Sequence, residues 1–183
     1  GNTTFLEAAL LVTGVISRMG KVEDGNTVSD YDKMEVERGY SINTSVVPIL
    51  WKENKINFID TPGYFDFVGE VNAALRAAEA AVIMVDAGSG IQVGTEAAWK
   101  ACERYKTPRF IVINKRDKDE FDFYKTFGEL KDKFGEKLIP FSWPLSAEID
   151  EELKEAIAMT DDELMEKYFN GDDFSDEEVL RGL

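Results

Sequence analysis

The chain has 183 residues, 44% of them hydrophobic, a single cysteine and a formal net charge of −15. That length supports one core, and no apolar run reaches the roughly 18 residues that a membrane span needs, so a membrane partner is excluded. So acidic a chain is not expected to grip nucleic acid by charge; without a signal peptide, and with Cys102 reading as a buried, inert thiol, the expected compartment is the cytoplasm.

Residues 5–19 are rich in Leu, Ala and Val and stop at Gly20, which predicts a helix. Residues 21–38 are polar, with charges of both signs, and read as a long loop of the kind that carries function. Residues 42–51 and 55–59 read as a hairpin around the turn-like Glu53-Asn54-Lys55. Residues 66–78 should be helical, with Phe67, Val71, Ala74 and Leu75 on one face. Residues 80–85 lack alternation and so predict a fully buried strand. A helix over 95–105, a buried strand over 110–113, a helix over 121–134 and a short strand over 138–141 follow. This alternation points to an α/β fold, a parallel or mixed sheet with helices on its faces.

Beyond Pro144 the composition shifts. Residues 148–183 carry fourteen acidic and three basic side chains, so −11 of the net charge lies there. Two helical patterns occur in this segment, ELKEAIAMTDDELMEKYF and SDEEVLRGL, and Ser175 with Glu178 has the spacing of a capping box. A solvated acidic face accounts for the charge, and a face for a basic partner is the other reading.

Three clusters fall at the carboxyl ends of the predicted strands or at a helix start, the edge where open α/β sheets bind ligands. Gly1-Asn2-Thr3-Thr4 opens the first helix. A phosphate-binding loop ends in Gly-Lys-Ser/Thr at such a point, because amides and the helix N-terminus hold phosphate while a hydroxyl binds Mg²⁺. A plain N-cap explains Thr3 or Thr4 as well. The second cluster, Asp60-Thr61-Pro62-Gly63, ends the hairpin's second strand. Its carboxylate can hold Mg²⁺ through water and the Gly63 N–H can meet a terminal phosphate. A turn with proline at its second position accounts for the same four residues.

The third cluster, Asn114-Lys115-Arg116-Asp117, follows the run FIVI. The Asp117 carboxylate suits guanine, accepting from the ring N–H and the exocyclic amine, a pair that adenine does not offer. An unpaired buried acceptor costs about 1–3 kcal/mol, enough for this residue to exclude ATP.

In this order, GNTT, ERGYSINTS, DTPGY and NKRD resemble the G domain of translational GTPases. The text between them, TGVISRMGKVEDGNTVSDYD, DFVGEVNAALRAAEAAVIMVDAGSGIQVGTEAAW and DDELMEKYFNGDDFSDEEVLRGL, resembles elongation factor G and its bacterial relatives over nearly the whole chain. The resemblance implies a P-loop GTPase-like α/β fold with a mostly parallel sheet, helices on both faces and an acidic helical C-terminal segment. Residues 1–145 would be the G domain, lacking its first strand and part of its P-loop, and 146–183 the acidic helical segment of the same domain. It also implies GTP or GDP and Mg²⁺ as ligands, the ribosome as partner, and GTP hydrolysis driving translocation as the activity. Gly1, Asn2, Thr3, Thr4, Asp60, Thr61, Pro62, Gly63, Asn114, Lys115 and Asp117 would surround the nucleotide. Thr3, Ser41 and Asp60 would serve the metal, Gly63 and Tyr64 the hydrolytic step, and residues 21–45 would form switch I.

The chain departs from the family pattern at four points. Asn2 stands where the family has its P-loop lysine, and Tyr64 where it often has the histidine that orients water; the chain contains no histidine. Ser41 replaces the usual metal-binding threonine of switch I. The subdomain insert expected after residues 138–141 is missing, and the sequence stops before the last strand, as a fragment would, or a sequence that omits parts of a longer chain. Two alternatives to an active GTPase follow: a hydrolysis-impaired or inert guanine-nucleotide module, and an interaction scaffold built on the acidic helices.

Overall fold

The computed structural model describes residues 1–63, 68–115, 122–135, 138–141, 151–175 and 178–179. They divide into two compact units, Gly1–Asp122 and Phe123–Leu183. Among the described residues no helix is long and apolar enough to cross a membrane.

The first unit opens with helix α1, Asn2–Val12, shorter than the 5–19 expected from composition. Its end is set by Thr13-Gly14. The Thr13 hydroxyl donates back to the carbonyls of Ala9 and Leu10, and Gly14 takes φ +75°, a left-handed turn that glycine makes without strain. The polar stretch after it is also more ordered than expected. It holds a 3-10 turn, Val22–Asp24, and helix α2, Lys33–Arg38. The Asp32 side chain accepts from the Met34 amide and Glu35 reaches back to the Asp32 amide, a reciprocal cap legible as Asp-x-x-Glu.

Strands β1, Ser45–Trp51, and β2, Asn54–Asp60, pair antiparallel with Ser45 opposite Asp60. Lys52 and Glu53, both at positive φ, make the two-residue turn, so it lies earlier than Glu53-Asn54-Lys55. Ile42 to Thr44 do not join the strand, because their amides are bound by Glu35 and Glu70. Leu6 and Leu10 of α1 pack on Val47 and Ile49 of the hairpin, with Phe58 and Ile16 at the margin. This core anchors the start of α1 beside the end of β2.

Helix α3, Val68–Ala77, buries Leu75 and half-buries Val71 and Ala74; Asp66 and Phe67, the first two residues of the expected helix, lie outside the described residues. Strand β3, Ala81–Asp86, and strand β4, Arg109–Asn114, run parallel with Asp86 opposite Asn114. Neither is fully buried. Ile83 and Val85 point into the core, but Val82 and its partner Phe110 are 45% and 44% exposed, since a ribbon of two strands leaves flanking positions open. The crossover is helix α4, Val93–Tyr105, in which Cys102 is 1% exposed and burial pushes its thiol up, as an inert thiol requires. The described strands thus form one antiparallel and one parallel two-stranded sheet, which corrects the expectation of a mostly parallel one.

In the second unit, helix α5 spans Phe123–Phe134. The ELKEAIAMTDDELMEKYF pattern is two helices, α6, Glu151–Ala158, and α7, Asp162–Asn170. The break falls at Thr160, whose hydroxyl donates to the Ile157 carbonyl, and at Asp161, which caps α7 by accepting from the Glu163 amide. Leu153, Ile157, Leu164 and Val179 form the core, with Ile139 and Phe174 against it. No strand forms over residues 138–141, where Pro140 has no N–H to offer a ladder. The Ser175 and Glu178 box is present in both directions, and Lys167 pairs with Glu178.

Candidate functional site

The start of α1 and the end of β2 meet through a side-chain network. The Asn2 amide donates to Asp60 Oδ1 and to the Thr61 carbonyl, both at 2.7 Å. The Thr3 hydroxyl donates to Asp60 Oδ2 at 3.0 Å and lies 3.4 Å from the Ser41 hydroxyl. The geometry follows from the fold, because the hairpin's second strand ends level with the first turn of the helix packed on it.

Asp60 is 7% exposed. Burial pushes its carboxyl above the ordinary range, and the charge of Asp30 adds to the shift; the nearby Ser29 hydroxyl and the hydrogen bonds from Thr3 and Asn2 oppose it. Ser29 is close enough to bias Asp60 without completing a hydrogen bond, since its buried Oγ has no partner among the described residues.

Asp30 is the residue that composition and motif did not single out. It is 5% exposed, accepts from the Ser41 hydroxyl at 2.5 Å and lies 3.4 Å from the Thr27 hydroxyl. Its position in a polar stretch gave no signal, because a lone Asp among polar residues looks solvated.

A cavity of about 310 Å³ opens over this network, lined by residues that include Gly1, Asn2, Thr3, Tyr40, Ser41 and Gly63. That is the lower end of the size of small-ligand sites. Its oxygen ligands, the hydroxyls of Thr3 and Ser41 and the carboxylate of Asp30, are hard, and the Asp60 carboxylate lies behind this lining, bonded to the Thr3 hydroxyl. No group of three or more His, Cys, Asp or Glu side chains gathers among the described residues. Such a set does not enclose a metal by itself. It fits Mg²⁺, which keeps waters and takes one or two carboxylates plus phosphate oxygens, and the orphaned Ser29 hydroxyl is one further oxygen within the same neighbourhood.

Asn114 and Lys115 close β4. Lys115 sits at φ +65°, and its ammonium pairs with Asp86 at the end of β3. The Asp86 carboxylate also accepts from the Gly88 amide at 3.0 Å, and the Ala87 amide donates to the Asn114 carbonyl at 3.1 Å. Lys115 is near enough to Gly1 for its charge to lower the basicity of the Gly1 amine, an effect second to burial.

The structure therefore brings Gly1, Asn2, Thr3, Ser41, Asp60, Thr61 and Gly63 into one neighbourhood, with Lys115 approaching it through Gly1. Pro62 is fully buried behind them. The Thr4 hydroxyl instead accepts from the Gly1 amine at 3.4 Å on the exposed side. Tyr64, Arg116 and Asp117 lie outside the described residues.

Comparison with known proteins gives a consistent family. The profile described as the elongation factor Tu GTP binding domain matches residues 1–181. Over 148 residues, 81% of this chain, the sequence is 43% identical to elongation factor G of Granulibacter bethesdensis and 41% identical to that of Gluconobacter oxydans. In both cases the match covers 21% of the relative, so the chain spans about a fifth of their length. A crystal structure of a protein from Thermus thermophilus superposes with a TM-score of 0.83 at 34% identity, over all of this chain and 33% of that one.

Proposed function

The chain belongs to the family of elongation factor Tu GTP binding domains and is homologous to the G domain of elongation factor G; from that premise we propose that it is the GTP-binding module of a translational GTPase acting on the ribosome in the cytoplasm. Residues 1–145 and 146–183 are taken as parts of one G domain in this reading. The observation that carries it is the convergence of Thr3, Ser41 and Asp60 beside the N-terminus of α1. An α-helix N-terminus attracts phosphate, and the hydroxyl and carboxylate oxygens next to it attract its cation.

Thr3, Ser41 and Asp60 would hold Mg²⁺, with Asp30 fixing the Ser41 hydroxyl. When bound, the cation supplies charge neutralisation at the phosphates. The Gly63 N–H would donate to a terminal phosphate oxygen, and Tyr64 occupies the sequence position of the family's water-orienting residue. Asn114, Lys115 and Asp117 select guanine, Lys115 being held in place by Asp86.

Hydrolysis by this chain alone is expected to stay near background. The Asn2 amide is neutral and both of its donors are engaged within the protein, by Asp60 and Thr61, so position 2 gives no positive charge to the phosphates. A phenol at Tyr64 does not do the work of an imidazole near neutral pH. This favours the second reading, a guanine-nucleotide switch with impaired hydrolysis.

The test is fluorescence titration of the whole chain with a labelled GDP, with GTP and ATP as competitors. Competition by GTP and not by ATP is expected, with Asp117→Asn shifting preference toward xanthine nucleotides. Equal competition by ATP would exclude the reading. Asn2→Lys and Tyr64→His then separate the two forms of it, since only an active GTPase would already turn over without either change.

A further inference from the structure

Four backbone and side-chain links run from one face of α1 around the polar segment and back to the same face. Glu7 lies one turn after Thr3, so both side chains project from one side of the helix. Although acidic, Glu7 is 1% exposed. Its Oε2 accepts from the Gly20 amide at 2.7 Å and its Oε1 from the Val28 amide at 2.6 Å. The two amides are the ends of a loop drawn together by one carboxylate.

Gly20 is fitted to this contact: a Cβ there would fall 2.5 Å from the Asn26 carbonyl oxygen and 3.0 Å from Glu7 Oε2. Two residues beyond Val28 comes Asp30, which accepts from Ser41 at 2.5 Å, and Ser41 lies 3.4 Å from Thr3. Next to Asp30, the Ser29 carbonyl accepts from the Ser45 hydroxyl at 2.7 Å. The far side of Ser41 is fixed as well, because Glu35 Oε1 accepts the amides of Ile42 and Asn43, each at 2.9 Å.

We propose that Glu7 is a positioning residue for the cation: by clamping the Gly20 and Val28 amides to α1 it sets the register of residues 20–41 and so seats the Ser41 hydroxyl beside Thr3. The proposal rests on the reading of Thr3, Ser41 and Asp60 as a Mg²⁺-nucleotide site. A residue needed only for packing at this point of the helix would be apolar, like its neighbours Leu6 and Leu10. Burying a carboxylate is unfavourable unless its oxygens are bonded, and here both are bonded to the segment that carries Asp30 and Ser41. Glutamine cannot replace it, since it offers one acceptor oxygen where two amides converge and sets an NH₂ against the other N–H.

The experiment measures labelled-GDP affinity of the whole chain against Mg²⁺ concentration and in EDTA, for wild type, Glu7→Gln and Gly20→Ala. Both variants act on the clamp, one from the helix and one from the loop, so failure of either to fold leaves the other. The half-saturating Mg²⁺ concentration should rise roughly tenfold in each, the scale of one lost charge-assisted hydrogen bond, with the EDTA affinity held within about twofold. An unchanged Mg²⁺ midpoint in a folded variant, or an equal loss in EDTA, would overturn the proposal. If wild type binds no guanine nucleotide, the site reading fails. The clamp is then judged by hydrogen exchange, where Glu7→Gln should speed the amides of residues 28–43 while those of β1 and β2 keep their protection; unchanged exchange overturns it.

Discussion

Buried carboxylates of the first unit fall into two groups that differ in what they hold. Glu7 and Glu35, each 1% exposed, accept backbone amides: Gly20 and Val28 for the first, Asp32, Ile42 and Asn43 for the second. Asp60 and Asp30 accept instead from side chains, those of Asn2 and Thr3 for the first and of Ser41 and Thr27 for the second, and the Asp60 carboxyl is pushed up by burial. A carboxylate satisfied by main chain is bound into the fold, because releasing it leaves amides unpaired. One satisfied by a hydroxyl and an amide side chain exchanges those partners for a cation at low cost. The difference separates the carboxylates that shape the segment 20–45 from those held by side chains, among them Asp60, the one proposed to take a cation.

The comparison is broken most severely at Glu35. Glu35→Leu leaves three backbone donors without their acceptor, and each buried unpaired group costs about 1–3 kcal/mol. Urea denaturation should show a loss of about 3 kcal/mol, allowing for partial solvation of the opened loop. A loss under about 0.5 kcal/mol, the scale of ordinary surface substitutions, would place Glu35 outside the fold-shaping set.

Next in size is Asn2→Lys. An ammonium there adds charge toward the phosphates and releases Asp60 Oδ1 from the Asn2 amide. GTP affinity by calorimetry is expected to rise about tenfold, the worth of a hydrogen bond to a charged group. Unchanged affinity would mean that position 2 does not face the nucleotide.

Asp60→Asn sharpens the comparison through pH. The folded carboxyl of Asp60 holds its proton to a higher pH than the unfolded chain does, so its favourable contribution is complete below the ordinary aspartate range and is lost as pH rises through the folded value. Without metal, Asp60→Asn should therefore melt above wild type near pH 7 and level with it near pH 3. A gain of about 3 °C corresponds to roughly 1 kcal/mol in a domain of this size. A lower melting temperature at neutral pH would show that Asp60 is a fold-shaping carboxylate like Glu35.

The smallest effect lies in the second unit. Glu178 is drawn down to about 2, first by Lys167 and then by the Ser175 amide and hydroxyl. Its contribution is present above the ordinary glutamate range and disappears as pH falls toward about 2. Glu178→Gln should lower the melting temperature slightly at pH 7 and not at all near pH 2. An equal loss at both would assign the effect to packing.

Much of this was legible in the sequence. The strands of the first unit and its helices other than α2, the hairpin ending on Asp60 and the opening GNTT all had local signals, whereas α2 lies in a stretch whose polar composition reads as loop. The end of α1 was missed because the apolar composition continues past Thr13-Gly14, and a side-chain bond with a left-handed glycine outweighs it. The two-sheet arrangement was missed because apolar runs such as AVIMV report burial and not the number of neighbours. Asp30, Glu7 and Glu35 were illegible as functional residues for a different reason. Each works through contacts with amides or hydroxyls distant in sequence, and an acidic residue in an acidic chain carries no mark of burial.

The central claim is that Asp60 is the carboxylate kept for a cation at a guanine-nucleotide site. The most direct test is the change in melting temperature on adding Mg²⁺ to the GDP-bound chain, in wild type and Asp60→Asn at pH 7. Wild type should gain stability as Mg²⁺ saturates, since a ligand that binds the folded state alone stabilises it by mass action, and Asp60→Asn should not respond. An equal response in the two proteins would contradict the account and leave Asp60 as part of a turn.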